Sequence, residues 1–467
     1  MIPSDATAVP HTAARIPPAM AGSYPRRAGN MVRPLIDGVP AFRRIAEATS
    51  KAQHSIWLTL AFYAPDFRLP DSDEALFDML DHAVERGLDV RVLCWRPNRQ
   101  SEGDGRTFAG TPADFHLLGM RDAQFNIRWD EAPAAFCHHQ KCWMIDAGHA
   151  TETSFIGGIN LTAKALGSPG HRDGGQHDLY VEIAGPSATD VHHNFVQRWN
   201  EASERNKPDG WWGPKAATTL AFPVKASDPA GPSLVQIQRM IPPGIYTNGH
   251  AAPNGLHHNI SGGERSILEQ YEQAIDAAQL TIYIENQAIP IPAIAHRLEA
   301  ALRRGIEVAL VVPANTDMPR DATERSPAEV ELFSCLAALA RYDNFALMGL
   351  AVLREHTAKA VYVHGKAMIV DDVWATIGSC NLHSYSLGRH TEMNASIWDA
   401  AIAKSLRCEL FVEHLNEDTV TLNSRQALRR LRDVAVRNRA ILKGLDGQWQ
   451  GLIVSLNADD YGRSISM

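Results

Sequence analysis

Residues 42–95 and 264–312 follow one plan, and a chain that repeats a plan of this length folds as two copies of a single unit. In the first copy a helical pattern through Phe42, Ile45 and Ala46 leads to the strand-like run SIWLTLAFY. A helix bearing Leu76, Phe77, Leu80 and Val84 then stops at Gly87 before the strand LDVRVLCW. In the second, Ile267, Leu268, Tyr271 and Ile275 share a helical face before TIYIENQ. A helix bearing Ile294, Leu298, Ala301 and Leu302 stops at Gly305 before IEVALVVP. The junctions ERGLDVRVL and RRGIEVALV agree almost letter by letter, with glycine where a helix end turns left-handed. Helices alternating with β-branched strands predict an α/β fold of two pseudo-symmetric lobes, each a mixed β-sheet flanked by helices.

At 467 residues there is room for two lobes with a core each. The expected layout is an N-terminal extension over 1–35, a first lobe over 36–205 and a linker over 206–232, rich in Pro, Gly and Lys. A second lobe over 233–420 and a helical tail over 421–467 complete it. The helices closing the lobes are predicted over Thr189 to Ala202 and Ala400 to His414. A net charge of -8 lacks the basic field that tracks a nucleic-acid backbone, so no nucleic-acid partner is expected. The six cysteines form no CxxC pair, which reads as free thiols in a reducing compartment. No segment approaches the roughly 20 apolar residues of a membrane span. The chain is therefore expected to be a monomer, cytoplasmic or peripheral to a membrane, with export by a route without a signal peptide left open.

The chemistry lies in a repeated motif. FCHHQKCWMID sets His139, Lys141 and Asp146 in the pattern H-x-K-x4-D, and VYVHGKAMIVDD sets His364, Lys366 and Asp371 identically. One such match arises by chance about 0.05 times in a chain this long; two at corresponding places are no accident. On a strand, residues two apart face the same way, so each histidine projects with its lysine. Asp146 and Asp371 fall at the strand end and are read as structural, holding the loop. Each motif is followed by small residues and an asparagine: Gly157, Gly158 and Asn160 in FIGGINL, Gly378, Ser379 and Asn381 in TIGSCNL. The small residues would admit an anion to the backbone, and Asn160 and Asn381 are neutral donors for phosphoryl oxygens. Phosphodiester cleavage without a metal needs a nucleophile, a proton donor and fixed positive charge. Two histidines, two lysines and two asparagines supply them, provided the surroundings push the two histidine pKa values apart.

With HHQK, GGQHDLYVEIAGP, FVQRWNEA, IYIENQ and IGSCNLHSYSLGRHTE in this order, the chain resembles the phospholipase D superfamily from about residue 40 to 415. ERSILEQYEQAIDAAQLTIYIENQ is most similar to its phosphatidylcholine-hydrolysing branch. The resemblance implies one active site at the lobe interface, with no cofactor and no metal. It implies His139 as the nucleophile that forms a phosphohistidine, and His364 as the general acid and then base. Lys141 and Lys366 complete the catalytic set, and Asp178 and Glu392 orient the histidines from neighbouring strands. The leading expectation is hydrolysis of the distal phosphodiester of a glycerophospholipid at a membrane surface, giving phosphatidic acid and the head-group alcohol. Water or an alcohol is the acceptor, so transphosphatidylation accompanies hydrolysis. The alternatives are a cardiolipin-synthase-like phosphatidyltransferase, placed second because those usually carry N-terminal membrane segments, or a nuclease of the superfamily. A non-catalytic lipid-binding scaffold is opposed by the two intact motifs.

Elsewhere plainer readings are preferred. His138, His192, His193, His257 and His258 are taken as core or surface residues. Glu285, Asn286 and Gln287 end a strand either as the edge of the site or as its cap. Trp211 and Trp212 are read as packing the linker against the body. SRQALRRLRDVAVRNRAILKGL is read as an amphipathic helix with a solvated basic face. Head-group selectivity is assigned to the loops 96–136 and 313–360.

Overall fold

The computed structural model describes residues 15–98, 108–315, 325–354 and 357–461. The first residues of the expected extension, and parts of both loops assigned to selectivity, lie outside the described residues.

In the first copy the helix Gly38–Lys51 buries Ala41, Phe42, Ile45 and Ala48, a stripe at helical spacing. The strand Ser55–Leu60 is buried at every position. The helix Leu76–Glu85 ends before Gly87, whose φ of 86° supplies the left-handed turn into the parallel strand Asp89–Arg96. The second copy repeats each step, with the helix Ser266–Ala277, the strand Thr281–Asn286 and the helix Pro292–Arg303. Gly305 follows with φ 83°, then the parallel strand Glu307–Val311.

The first sheet runs edge to edge through Arg27–Ile36, Leu179–Ala184, Thr153–Gly157, Cys142–Ile145, Ser55–Leu60, Asp89–Arg96, Asn126–Glu131 and Trp211–Trp212. The second runs in the same order through Ser233–Ile241, His390–Trp398, Trp374–Gly378, Lys366–Val370, Thr281–Asn286, Glu307–Val311 and Phe345–Arg354. Thr357–Val363 and Ile453–Ser455 share its far edge. Among the described residues, the parallel pairs within each sheet are those made through Asp89–Arg96 and Glu307–Val311, which is where crossover helices are needed. One apolar core is common to both lobes: Met144, Val181 and Phe195 of the first join Ile377, Met393 and Leu410 of the second. The α/β fold of two mixed sheets flanked by helices is therefore the fold observed.

The lobe boundaries differ from those expected. Arg27–Ile36 is no extension: it pairs with Leu179–Ala184 and also reaches Ser233–Ile241, joining the two sheets. Ahead of it, the Ile16 carbonyl accepts from Trp398 Nε1 at 2.8 Å, tying the N-terminal segment to the second lobe. The linker expected over 206–232 contributes the strand Trp211–Trp212, which packs against Asn126–Glu131. The tail expected over 421–467 belongs to the second lobe: the helix Ser424–Leu442 buries Leu428, Leu431 and Val434, and Ile453–Ser455 extends the sheet. The closing helices are Ala188–Glu201 and Ala400–Leu415, within a residue of expectation. Among the described residues, no helix is long and apolar enough to cross a membrane.

Candidate active site

The two motifs sit at breaks in strands rather than within them. His139 leaves the strand Cys137–His138 and Lys141 precedes Cys142–Ile145; His364 lies between Thr357–Val363 and Lys366–Val370. Each lysine folds back on its own loop. Lys141 Nζ donates to the His139 carbonyl at 2.7 Å, and Lys366 Nζ donates to the His364 carbonyl. Asp146 and Asp371 stand at the far ends of these strands with φ of 54° and 55°. The Asp146 carboxylate accepts from the backbone of Gln53 at 2.9 Å, His54 at 2.6 Å and Ser55 at 3.1 Å. Asp371 does the same for Gln279, Leu280 and Thr281 at 2.8, 2.8 and 2.7 Å. Both motif aspartates thus hold the start of the neighbouring strand.

The histidines are oriented across the lobe boundary. His139 Nδ1 lies 2.9 Å from Glu392 Oε2, and Glu392 is on the second-lobe strand His390–Trp398. His364 Nδ1 donates to Asp178 Oδ2 at 2.5 Å, and Asp178 precedes the first-lobe strand Leu179–Ala184. The exchange follows from two short parallel pairings: His390 and Thr391 lie beside Cys137 and His138, and Gln176 and His177 lie beside Tyr362 and Val363. Each carboxylate is beside the other lobe's motif.

The small residues after each motif serve these carboxylates. A Cβ on Gly158 would stand 2.4 Å from Asp178 Oδ1, so only glycine leaves the carboxylate its place. Ser379, the counterpart of Gly158, instead donates its hydroxyl to Glu392 Oε2 at 2.5 Å. The expected backbone approach to an anion is replaced by carboxylate positioning.

His139, His364, Asn160 and Asn381 line one cleft of about 1170 Å³ between the lobes. The oxygens Oδ1 of Asn160 and Asn381 have no hydrogen-bond partner. Apolar walls come from Phe62, Phe67 and Trp95 on one side and Val352 and Val361 on the other, and exposed Arg68, Lys164, Arg354 and Lys359 also line it. Burial pulls His139 down to about 3; Lys141 adds to this, and Glu392 opposes it. Burial and Lys366 pull His364 down to about 4 against Asp178. Burial also lowers the lysines, Lys141 to about 8 and Lys366 to about 7. The surroundings therefore push both imidazoles the same way, toward the neutral form, rather than apart.

Other residues sort themselves around this centre. Gln287 borders the cleft, accepting from Lys366 Nζ at 3.2 Å, whereas Asn286 caps its strand by accepting from Ala288 and Leu382. Glu285 is buried between His177 and His414. His138 is held by Thr391 and Asp130, His192 by Glu152, His193 by Tyr24 and His258 by the Gly263 carbonyl, all structural placements. Sequence reading passed over His383, His390 and Tyr362, which also line the cleft. His383 and His390 lie in the quoted block IGSCNLHSYSLGRHTE, the one signal that could have found them.

Comparison with known proteins places this geometry. The chain is 24% identical over 390 residues to the major cardiolipin synthase ClsA of Bacillus subtilis, covering 81% of this chain and 67% of that protein. It is 24% identical over 452 residues to phospholipase D A of Dictyostelium discoideum, but covers only 32% of it. The fold is similar to the crystal structure of a phosphatidylserine synthase from Haemophilus influenzae, with a TM-score of 0.56 at 14% identity, covering 90% of this chain and 96% of that one. The kinship with cardiolipin synthases overturns the first functional expectation, hydrolysis by the phosphatidylcholine-cleaving branch, in favour of the alternative that stood second. The motifs could not separate the two, because hydrolysis and transfer differ only in which hydroxyl attacks the same intermediate. Residues 45–199 and 271–413 match the family described as "Cardiolipin synthase, PLD-like domain", and the chain belongs to that family of the phospholipase D superfamily.

Proposed function

We propose that the protein is a phosphatidyltransferase that moves a phosphatidyl group from one phospholipid to a hydroxyl of an acceptor alcohol, a second lipid head group in particular. The observation that carries this reading is the exchanged pair of histidine–carboxylate contacts around a single cleft. The kinship with cardiolipin synthases favours transfer over hydrolysis.

In the first step His139 Nε2 attacks phosphorus, with Glu392 holding Nδ1 and the ring orientation. The phosphorus–oxygen bond to the donor head group breaks, and the departing alkoxide takes a proton from His364. In the second step neutral His364 removes a proton from the acceptor hydroxyl, whose oxygen attacks phosphorus and frees His139. Lys141, Lys366 and the amides of Asn160 and Asn381 stabilise charge on the equatorial oxygens. No step calls on a metal. Both imidazoles lean neutral, so the anionic phosphodiester, entering between them and the lysines, supplies the charge that lets His364 hold its proton. Arg68, Lys164, Arg354 and Lys359 would draw anionic head groups to the cleft, and its apolar walls would exclude competing water.

The test is incubation with vesicles of phosphatidylglycerol and measurement of products by mass spectrometry. Diphosphatidylglycerol with equimolar glycerol supports transfer. Phosphatidic acid as the sole lipid product, or cleavage of single-stranded DNA without any lipid product, overturns it.

A further inference from the structure

Beside the second motif loop lies a group of side chains that this chemistry does not use, one of which, His171, also reaches the wall of the cleft. Asp37 precedes the helix Gly38–Lys51, and His171 and His177 flank a turn of the first lobe; Glu413 reaches them from the second-lobe helix Ala400–Leu415. Asp37, His171 and His177 are buried, and the Glu413 side chain is 7% exposed. His171 Nε2 is 3.3 Å from Asp37 Oδ1 and 3.3 Å from Glu413 Oε1. His177 Nδ1 is 3.0 Å from Asp37 Oδ1 and 3.6 Å from Glu413 Oε2. A metal bound tetrahedrally by imidazole and carboxylate at about 2.0–2.1 Å spaces its ligands about 3.3–3.4 Å apart; the contacts straddle that value with Glu413 turning Oε1 to one histidine and Oε2 to the other, and one donor atom from each residue falls within 4.8 Å of the rest.

A second observation is independent of the spacing. Neither ring nitrogen of His171 has a hydrogen-bond partner, although the residue is 2% exposed. Its Nε2 is equidistant from two carboxylate oxygens, as a nitrogen aimed at a point between them would be. Asp37 Oδ2 is likewise without a partner. On its outer side His177 Nε2 donates to Glu285 Oε2 at 3.0 Å, and Glu285 is braced by His414 at 2.7 Å. A carboxylate behind an imidazole is the arrangement that fixes the tautomer of a metal-binding histidine.

We propose that Asp37, His171, His177 and Glu413 bind one divalent metal ion of the zinc class, which clamps the two lobes together beside the active site. The ion would position rather than react. The Asp37 amide donates to the Asp178 carbonyl at 2.8 Å, and the His177 carbonyl accepts from the amides of His364 at 2.7 Å and Gly365 at 3.0 Å. Fixing Asp37 and His177 thus fixes the general acid and its carboxylate without touching the phosphodiester.

The experiment is titration of the chelator-treated full chain with Zn²⁺, followed by elemental analysis and thermal unfolding, and with Co²⁺ followed by visible absorption. One equivalent should bind, with the intense bands of tetrahedral cobalt and a raised Tm. His171→Ala and Glu413→Gln, each removing a ligand, should each weaken binding by more than the roughly 10–100-fold that loss of a residue bracing a ligand costs, with the far-UV circular dichroism of the parent chain. Should His171→Ala fail to fold, the nearly isosteric Glu413→Gln decides alone. His139, His390 and Glu392 form another group able to attract a cation, so His390→Ala is the locating control and should bind as the parent does. Absence of stoichiometric binding would overturn the site, leaving ion pairs alone. So would binding lost in His390→Ala but kept in Glu413→Gln.

Discussion

Replacing each orienting carboxylate by its amide, Glu392→Gln and Asp178→Asn, separates the two histidines by role. Each carboxylate makes a charge-assisted contact to a buried imidazole, at 2.9 Å for His139 and 2.5 Å for His364. Such a bond is worth about 1.5–3 kcal/mol, or roughly 10- to 150-fold in rate. An amide can also present its NH₂ to Nδ1 and select the wrong tautomer, which carries the loss toward about 10⁴-fold. With lipid substrate both variants should therefore lose between about 10- and 10⁴-fold in kcat. A p-nitrophenyl phosphodiester parts them, because p-nitrophenolate leaves without a proton. On the proposed assignment Asp178→Asn disables the acid and should still release a rapid burst of about one p-nitrophenolate per site, followed by slow turnover, since His364 would later act as base. On the same assignment Glu392→Gln disables the nucleophile and should show no burst. Stopped-flow absorbance reads both. A burst in Glu392→Gln and none in Asp178→Asn would reverse the assignment, and full activity in either variant would refute the orienting role itself.

Four further outcomes follow from the same geometry. Asp371→Ala strips three backbone amides of their acceptor and should cost about 3 kcal/mol of stability by urea unfolding. Burial raises the Asp130 carboxyl, but His138 and Arg198 outweigh it and hold the pKa at about 2. The folded value lies below the unfolded one, so this contribution of about 2 kcal/mol is present above pH 4 or so and fades as pH falls toward 2. Asp130→Asn should flatten that part of the acid-unfolding profile. Gly158→Ala should cost as much activity as Asp178→Asn, since its methyl takes the carboxylate's place, whereas Ser379→Ala loses one hydroxyl donor to Glu392 and should cost about 10- to 150-fold, the worth of one bond to a charged group. The double variant Arg68→Ala, Lys359→Ala should weaken binding to anionic vesicles about tenfold at low salt, measured by co-sedimentation, and much less at high salt.

What the sequence discloses here is what local pattern can encode. The helices Leu76–Glu85 and Pro292–Arg303 and the glycines after them are legible because apolar spacing and a left-handed stop lie within one short window. The motif aspartates are legible because strand geometry puts them out of register with the histidine. The strand Arg27–Ile36 is not, because Gly29 and Pro34 argue against a strand within the window while its pairing partners lie far along the chain. Ile453–Ser455 is too short to show any period. The identity of Glu392 and Asp178 as carboxylates of the site was readable, but not which histidine each serves, since those contacts span 253 and 186 residues. The Asp37–His171–His177–Glu413 group is not legible as a group: only His177 lies in a quoted block, GGQHDLYVEIAGP, and the members come from three segments far apart along the chain.

The exchange of carboxylates also explains why the lobes share a core instead of meeting across a polar seam. A phosphoryl-transfer site built from two lobes loses rate steeply when its groups are misplaced, on the order of 10²-fold for about 1 Å. If each histidine were oriented within its own lobe, sliding of the lobes would only change the distance between two intact half-sites. With the pairs exchanged, the same slide stretches both histidine–carboxylate bonds at once, so the site tolerates less motion and demands a stiffer frame. The strand Arg27–Ile36 shared by both sheets and the common layer of Val181, Phe195, Ile377 and Met393 provide that frame, because close-packed apolar interiors deform little. Catalytic geometry and interlobe packing are in this sense one requirement.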